Sequence, residues 1–289
     1  MKTPKRIIVG IDAFAKVGNI LKRAVCLAEE CSSRLYVVYA VETPMLSIPS
    51  YFGSKGVTID KEGIRKRIEK KMKKADPDAK VPFTVLVKEG NADDIILYES
   101  RLINADMIVI GANTKNRRSF LGTTAEKVAQ QSHLPLLLVR NSAKEPYRQI
   151  LAPTDFGTQS KQSVLFAKSI YPSARIKAVH AYESFYTVGI YTAGSYTLEN
   201  LDIVQYSEAI KSTAQNNMKA FIQEVGIRKG KVIDGDINSR DALVGYIKKS
   251  KPDLVVMGSR GTTGVKMLLG SMTSSLLRAV KTDVLIYVP

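Results

Sequence analysis

Near the C-terminus an apolar run, Leu254 to Met257, meets Gly258-Ser259-Arg260-Gly261, and after eight further residues comes Gly270-Ser271. This spacing suits phosphate chemistry. Glycines after a strand let backbone N–H groups approach an anion with no Cβ in the way. The second glycine opens an expected helix, Ser271 to Val280, whose unpaired first N–H groups and dipole favour a phosphate. The pattern points to a nucleotide before it points to any reaction.

Elements must exist to hold such a loop, and the chain supplies them twice. RIIVGIDAF with Asp12 stands against QILAPTDFG with Asp155, an offset of 143 residues. The same order continues with VVYAVET against AVHAYES, ADMIVIGANT against PDLVVMGSRG, LGTTAEKVAQ against LGSMTSSLLR, and LPLLLV against DVLIYV. Five matched segments in one order mark a tandem duplication, with residues 1–142 and 148–289 as the two domains and NSAKEPY, Asn141 to Tyr147, as the linker.

Within each half, short apolar strands alternate with helical patterns, which specifies an α/β fold with an open, five-stranded parallel sheet covered by helices on both faces. Strands are expected near Arg6 to Ile11, Leu35 to Val41, Pro82 to Lys88, Met107 to Ile110 and Leu136 to Val139. Their repeats are Gln149 to Pro153, Arg175 to Ala181, Lys229 to Asp234, Leu254 to Met257 and Val284 to Val288. Ligands of such sheets sit beyond the carboxyl ends of the strands where strand order reverses. That puts Asp155, Ala181 and the glycine loop around one crevice.

Composition narrows the function classes. With 289 residues, 24% of them charged, the chain holds two domains of ordinary size and no apolar stretch approaching the roughly 18 to 20 residues of a membrane helix. The start MKTPKRIIVGID enters a strand at once, so no signal peptide and a cytoplasmic location are expected. Cys26 and Cys31 lie in one expected helix without a histidine cluster, and read as reduced thiols rather than metal ligands. Basic residues outnumber acidic ones by 24 to 15 in residues 1–143 and by 19 to 12 in the remainder, so the net charge of +16 is spread over both halves. The densest run, Lys61 to Lys80, carries Ile64, Ile68 and Met72 at helical spacing and reads as a solvated basic face.

With these motifs in view, the chain resembles a tandem universal stress protein. ILAPTDFG, AVHAYE and DLVVMGSRGTTGVKMLLGS carry the likeness, once per half over essentially the whole chain. The resemblance implies a Rossmann-like, adenine nucleotide alpha hydrolase-like fold and an adenine nucleotide ligand, ATP with or without magnesium, or AMP or ADP. It further implies that Pro153, Asp155 and Ala181 hold the adenosine. Met257, Gly258, Gly261 and Gly270 would then line ribose and phosphates, with Ser271 and Met272 as donors at the helix start. Arg260 and Lys266 lie in the same loop and could meet a polyphosphate. The inner loop has eight residues where the family pattern has nine.

The first half departs further. Gly111 is followed by Ala112-Asn113-Thr114, and seven residues including Lys115, Arg117 and Arg118 precede Gly122-Thr123. A β-branched Thr114 occupies the place of the second glycine and narrows the approach of a phosphate. Asp12, Gly111, Gly122 and Thr123 are therefore a weaker second candidate set, and the second domain is the expected nucleotide binder. Segments 44–60 and 184–206, with Tyr186, Tyr191 and Tyr196, emerge at the ligand end as a lid, a partner surface or local packing.

No catalytic set emerges. His133 and His180 fall in unrelated places, Asp12 and Asp155 have no paired carboxylate or histidine beside them in sequence, and Asp236, Asp241 and Asp253 read as turn and helix-start residues. The reading is a non-catalytic, ligand-dependent stress-response regulator, with Ser271 as the one site for slow phosphate acceptance. An interaction scaffold of the same fold with an unidentified protein partner is the alternative, and nucleic-acid binding through the basic helix a weaker one. The halves are expected to pair through Leu136 to Val139 and Val284 to Val288, as separate subunits do in single-domain relatives, with a homodimer of chains as a further step.

Overall fold

The computed structural model describes residues 2–42, 59–112, 122–141, 145–184, 203–235, 238–259 and 270–289. Two compact units divide them, one formed by Thr3–Lys115 with Gly122–Pro146 and the other by Tyr147–Pro289. Among the described residues no helix is long and apolar enough to cross a membrane.

The first unit runs β1 (Arg6–Gly10), α1 (Gly18–Cys31), β2 (Arg34–Val41), α2 (Lys61–Ala75), β3 (Phe83–Glu89), α3 (Ala92–Leu102), β4 (Met107–Gly111), α4 (Thr123–Gln131) and β5 (Leu136–Val139). Its strands lie in the order β3-β2-β1-β4-β5, all parallel. Ile7, Ile8, Val9, Met107, Ile108 and Val109 are fully buried, as expected of central strands covered on both faces. Helices α1 and α2 pack together, as do α3 and α4, which supplies the two covering layers. The Asp60 side chain accepts the Gly63 N–H at 2.7 Å and caps α2.

The second unit repeats this plan with β6 (Gln149–Pro153), α5 (Thr158–Ile170), β7 (Arg175–Tyr182), α6 (Ile203–Val225), β8 (Lys229–Asp234), α7 (Ser239–Ser250), β9 (Leu254–Gly258), α8 (Ser271–Ala279) and β10 (Asp283–Tyr287). The order β8-β7-β6-β9-β10 is again parallel. In both units the chain adds strands on one side of its first strand, then crosses to the other. The reversal falls between β1 and β4, and between β6 and β9.

One latch is built identically in each copy. Asp106 Oδ2 accepts the N–H groups of Lys5 and Arg6 at 2.8 Å, and Asp253 Oδ2 those of Arg148 and Gln149 at 2.9 and 2.8 Å. The residue before the fourth strand of each unit thus ties down the entrance of the first strand. Asp253 is a strand latch rather than a helix-start residue. Two strands also extend further than their apolar runs, since Gly111 pairs with Val139 and Gly258 with Tyr287. Glycine retains its backbone donor and acceptor, so the ladder continues one residue past the last large side chain. Helix α6 begins at Ile203, inside the segment expected to be irregular, while most of 44–60 and 184–206, including Tyr186, Tyr191 and Tyr196, lies outside the described residues.

Candidate functional site

Asp155 follows β6 at the strand-order reversal and is exposed. Its Oδ1 accepts the Gly157 N–H at 2.9 Å and the Ser160 hydroxyl at 2.6 Å. The first bond closes an Asx turn that steers the chain into α5, and the second pins the carboxylate to the first turns of that helix. Phe156 sits in this turn at φ 64°. Its ring lies 4.3 Å from the His180 ring and 5.9 Å from that of Phe221, a buried residue of α6. His180 Nδ1 donates to the Thr154 carbonyl at 2.8 Å, the carbonyl having no proton to give. Ala181, one residue on, is half-buried and lies beyond the end of β6, whose Pro153 pairs with Val179.

Across the reversal, Gly258 ends β9. A Cβ there would stand 2.7 Å from the Gln159 carbonyl oxygen and 2.8 Å from its carbon, both backbone atoms at the start of α5. Only glycine permits that approach. The next residue, Ser259, is fully buried, with its N–H donated to the Tyr287 carbonyl at 2.8 Å. Among the described residues Ser259 Oγ has no hydrogen-bond partner, and neither does the buried Gln159 Oε1. Two polar atoms, one on the residue after Gly258 and one on the residue whose backbone abuts it, therefore lack partners among the described residues, which is costly unless a polar group completes them. Met257 is buried in β9.

Gly270 is the N-cap of α8, with extended ψ of 151° and no side chain capping the helix. The first turn holds Ser271, Met272 and Thr273 with no acidic residue, so its donors and the positive end of the helix dipole are unopposed locally. Thr273 Oγ1 reaches the Gly258 carbonyl at 3.4 Å, which ties the helix start to the end of β9. Asp155, Gly258 and Gly270 are thus the ends of elements gathered at one end of one sheet. Such an arrangement can hold an anion. Arg260, Gly261 and Lys266 lie outside the described residues.

The first unit offers less. Asp12 Oδ1 accepts the Phe14 N–H at 2.9 Å, an Asx turn like that of Asp155, but no described side chain pins it as Ser160 does. Gly111 ends β4, Gly122 caps α4, and Thr123 opens that helix. Here the first turn carries Glu126, whose charge opposes an incoming anion. Position 112, the counterpart of Ser259, is a buried alanine. Asn113 and Thr114, with Lys115, Arg117 and Arg118, fall outside the described residues.

Ser160 and Gln159 escaped the sequence reading, and Ser259 stood in the glycine loop without a role. The only trace was Ser160 standing five residues after Asp155, within reach of the turn from the first coil of α5.

The universal stress protein family model matches this chain twice, over residues 3–140 and 146–288. The chain is 26% identical over 145 residues to a universal stress protein of Methanocaldococcus jannaschii, a match covering 49% of this chain and 85% of that protein. Among solved structures, a Pseudomonas aeruginosa protein of unknown function aligns over 99% of this chain and 93% of its own, with a TM-score of 0.71 and 15% identity. A universal stress protein from Archaeoglobus fulgidus aligns over 97% of both chains, with a TM-score of 0.64 and 16% identity. At these identities the structural likeness concerns the fold.

Proposed function

This chain belongs to the universal stress protein family, and from that premise we propose that its second unit binds an adenine nucleotide, ATP before AMP or ADP, and that occupancy rather than turnover is its output. One observation carries the reading. At the β6/β9 reversal, the backbone-tight Gly258, the unpartnered Ser259 Oγ and the uncapped start of α8 stand together, and they suit a phosphate. Pro153, Asp155 and Ala181 would hold the adenosine. Met257, Gly258 and Gly270 would line the ribose and phosphates, and Ser271 and Met272 would donate from the helix start.

No proton-transfer step is assigned to these residues. The Asp155 carboxylate already accepts two hydrogen bonds that shape its own turn, and His180 Nδ1 is committed to the Thr154 carbonyl. Both groups support the frame of the crevice. The protein would then act as a ligand-dependent regulator whose folded state is stabilised by the nucleotide.

Thermal unfolding with and without ATP and magnesium tests this directly. Ligand at about 100 times its dissociation constant adds ~2.7 kcal/mol to stability, a rise of several degrees for a unit of this size. Mass spectrometry of small molecules released from freshly purified protein identifies the nucleotide. No shift at millimolar ATP, AMP and ADP together with no released nucleotide would overturn the proposal, and would favour an interaction scaffold.

A further inference from the structure

We propose that the outer edge of the second unit, independently of the nucleotide crevice, docks an acidic peptide that adds to β8 as a further strand and sets carboxylates beside Lys229 and Lys231. β8 is the last strand in the order and pairs on one side only, with β7. None of its residues is buried. The backbone donors and acceptors on the open side of such a strand are a template for an extended chain.

The charge on this edge has one sign. Lys177 of β7 stands opposite Lys229 of β8, and Lys231 follows two residues on, so three ammonium groups share one face of the sheet. Tyr246 of α7 joins them. Its hydroxyl accepts from Lys177 Nζ at 2.6 Å, and its ring centre lies 5.3 Å from that nitrogen and 5.4 Å from Lys231 Nζ. Among the described residues the three lysines pair with no carboxylate. β7 carries no acid, Asp234 alternates onto the other face of β8 and accepts from the Tyr182 hydroxyl at 3.3 Å, and Asp241 is bonded by Asn238 in the first turn of α7. The last turn of α7 adds Lys248 and Lys249. Like charges directly opposite on neighbouring strands are destabilising, so Lys177 and Lys229 together favour an anion beside them.

The first unit has the same place without that demand. Strand register aligns Lys177, Lys229 and Lys231 with Tyr36, Thr84 and Leu86, none of them charged. Glu99 holds the position of Tyr246, each seven residues before its latch aspartate, and Lys88 bridges it at 2.9 Å. One copy carries its own carboxylate under the helix, and the other carries cations alone. Lysines on an edge strand also turn away stray apolar strands. Lys177, half-buried and one strand in, lies beyond that purpose. The lysines that reject a basic or apolar strand select one with an acid at every second residue, because side chains on one face recur with period two. Nucleic acid would use stacking platforms, whereas the Tyr246 ring is already engaged by two ammonium groups and the open edge of β8 is backbone that a peptide can pair.

Fluorescence polarisation of the full-length protein with a labelled peptide of alternating glutamate and valine tests this. Binding should be at least about tenfold tighter than for the same peptide with glutamine in place of glutamate. Lys229→Gln should weaken it by about threefold, and Lys177→Gln combined with Lys231→Gln by about tenfold. Lys22→Gln combined with Lys74→Gln, exposed lysines of the first unit with the same change in charge, should leave it unchanged. Methylating one alternate set of the peptide's backbone N–H groups should abolish binding and methylating the other set should not, which separates strand addition from charge attraction. Equal loss in the two double variants, or indifference to both methylated sets, would overturn the proposal. Tighter binding of an oligothymidylate that displaces the peptide, with an affinity falling steeply with salt, would assign the surface to nucleic acid and also overturn it.

Discussion

The Ser160 hydroxyl donates to Asp155 Oδ1 across 2.6 Å, from the first coil of α5 to the end of β6. The same oxygen closes the turn through Gly157. Ser160 is buried while Asp155 is exposed, so the serine fixes an exposed carboxylate at the end of β6. Ser160→Ala should leave the fold intact and weaken ATP by about fivefold, the worth of roughly one ordinary hydrogen bond after solvent compensation, since the serine acts on the ligand only through Asp155. Isothermal titration reads this, and an unchanged affinity would show that Asp155 needs no such support.

Gly258 and Gly245 make opposite predictions for the same substitution. At Gly258 a Cβ would meet backbone atoms of Gln159 at 2.7 and 2.8 Å, so Gly258→Ala should cost about 1–3 kcal/mol and lower nucleotide affinity by moving β9 away from α5. At Gly245, inside α7, nothing lies within 4 Å of the added carbon, and alanine should stabilise the helix by about 0.5–1 kcal/mol. Chemical denaturation of the two variants side by side measures both signs.

The paired latches predict matched losses. Asp106→Ala and Asp253→Ala each remove an acceptor that serves two backbone N–H groups, and each should cost about 1–2 kcal/mol. Asparagine at either position retains an acceptor oxygen and should recover most of the loss. Melting curves that respond to one latch and ignore the other would show that the two copies are not held by the same device.

Cys31 is buried, and that burial, with Glu30 nearby, pushes its thiol from 9.0 up to about 11. At about pH 8 the thiolate is then a fraction of the order of one in a thousand, and iodoacetamide should label Cys31 only after unfolding. The folded value lies above the unfolded one, so the stability contribution of Cys31 is complete below about pH 9 and is lost as pH rises through about 11. Cys31→Ala should flatten that part of the stability profile, which alkaline denaturation reads.

Much of the fold was legible because the chain repeats itself. Strands such as Ile7 to Val9 and Met107 to Val109 are apolar without alternation, the mark of burial on both faces, and each recurs in the second half. The glycines were legible for the same reason, since Gly258 and Gly270 stand out against their neighbours. Their partners were not. Gln159 meets Gly258 from 99 positions away in the chain, and no local pattern announces an orphaned Ser259 hydroxyl. Phe14 looked like an unremarkable residue two places after Asp12, and α2 like a basic surface helix, yet Lys71 of α2 donates to the Ala13 and Ala15 carbonyls on either side of Phe14.

By itself the sequence determined the α/β plan, its duplication and the difference between the two glycine loops. These follow from periodicity and residue type, properties that each segment carries alone. Tertiary structure decided what surrounds those loops: which side chains pin Asp155, why no Cβ fits at Gly258, and why the Phe156 turn is packed by rings from β7 and α6. Those outcomes depend on distances between segments far apart in the chain. They are fixed only when strands of set order and register bring their ends to the same edge of a sheet.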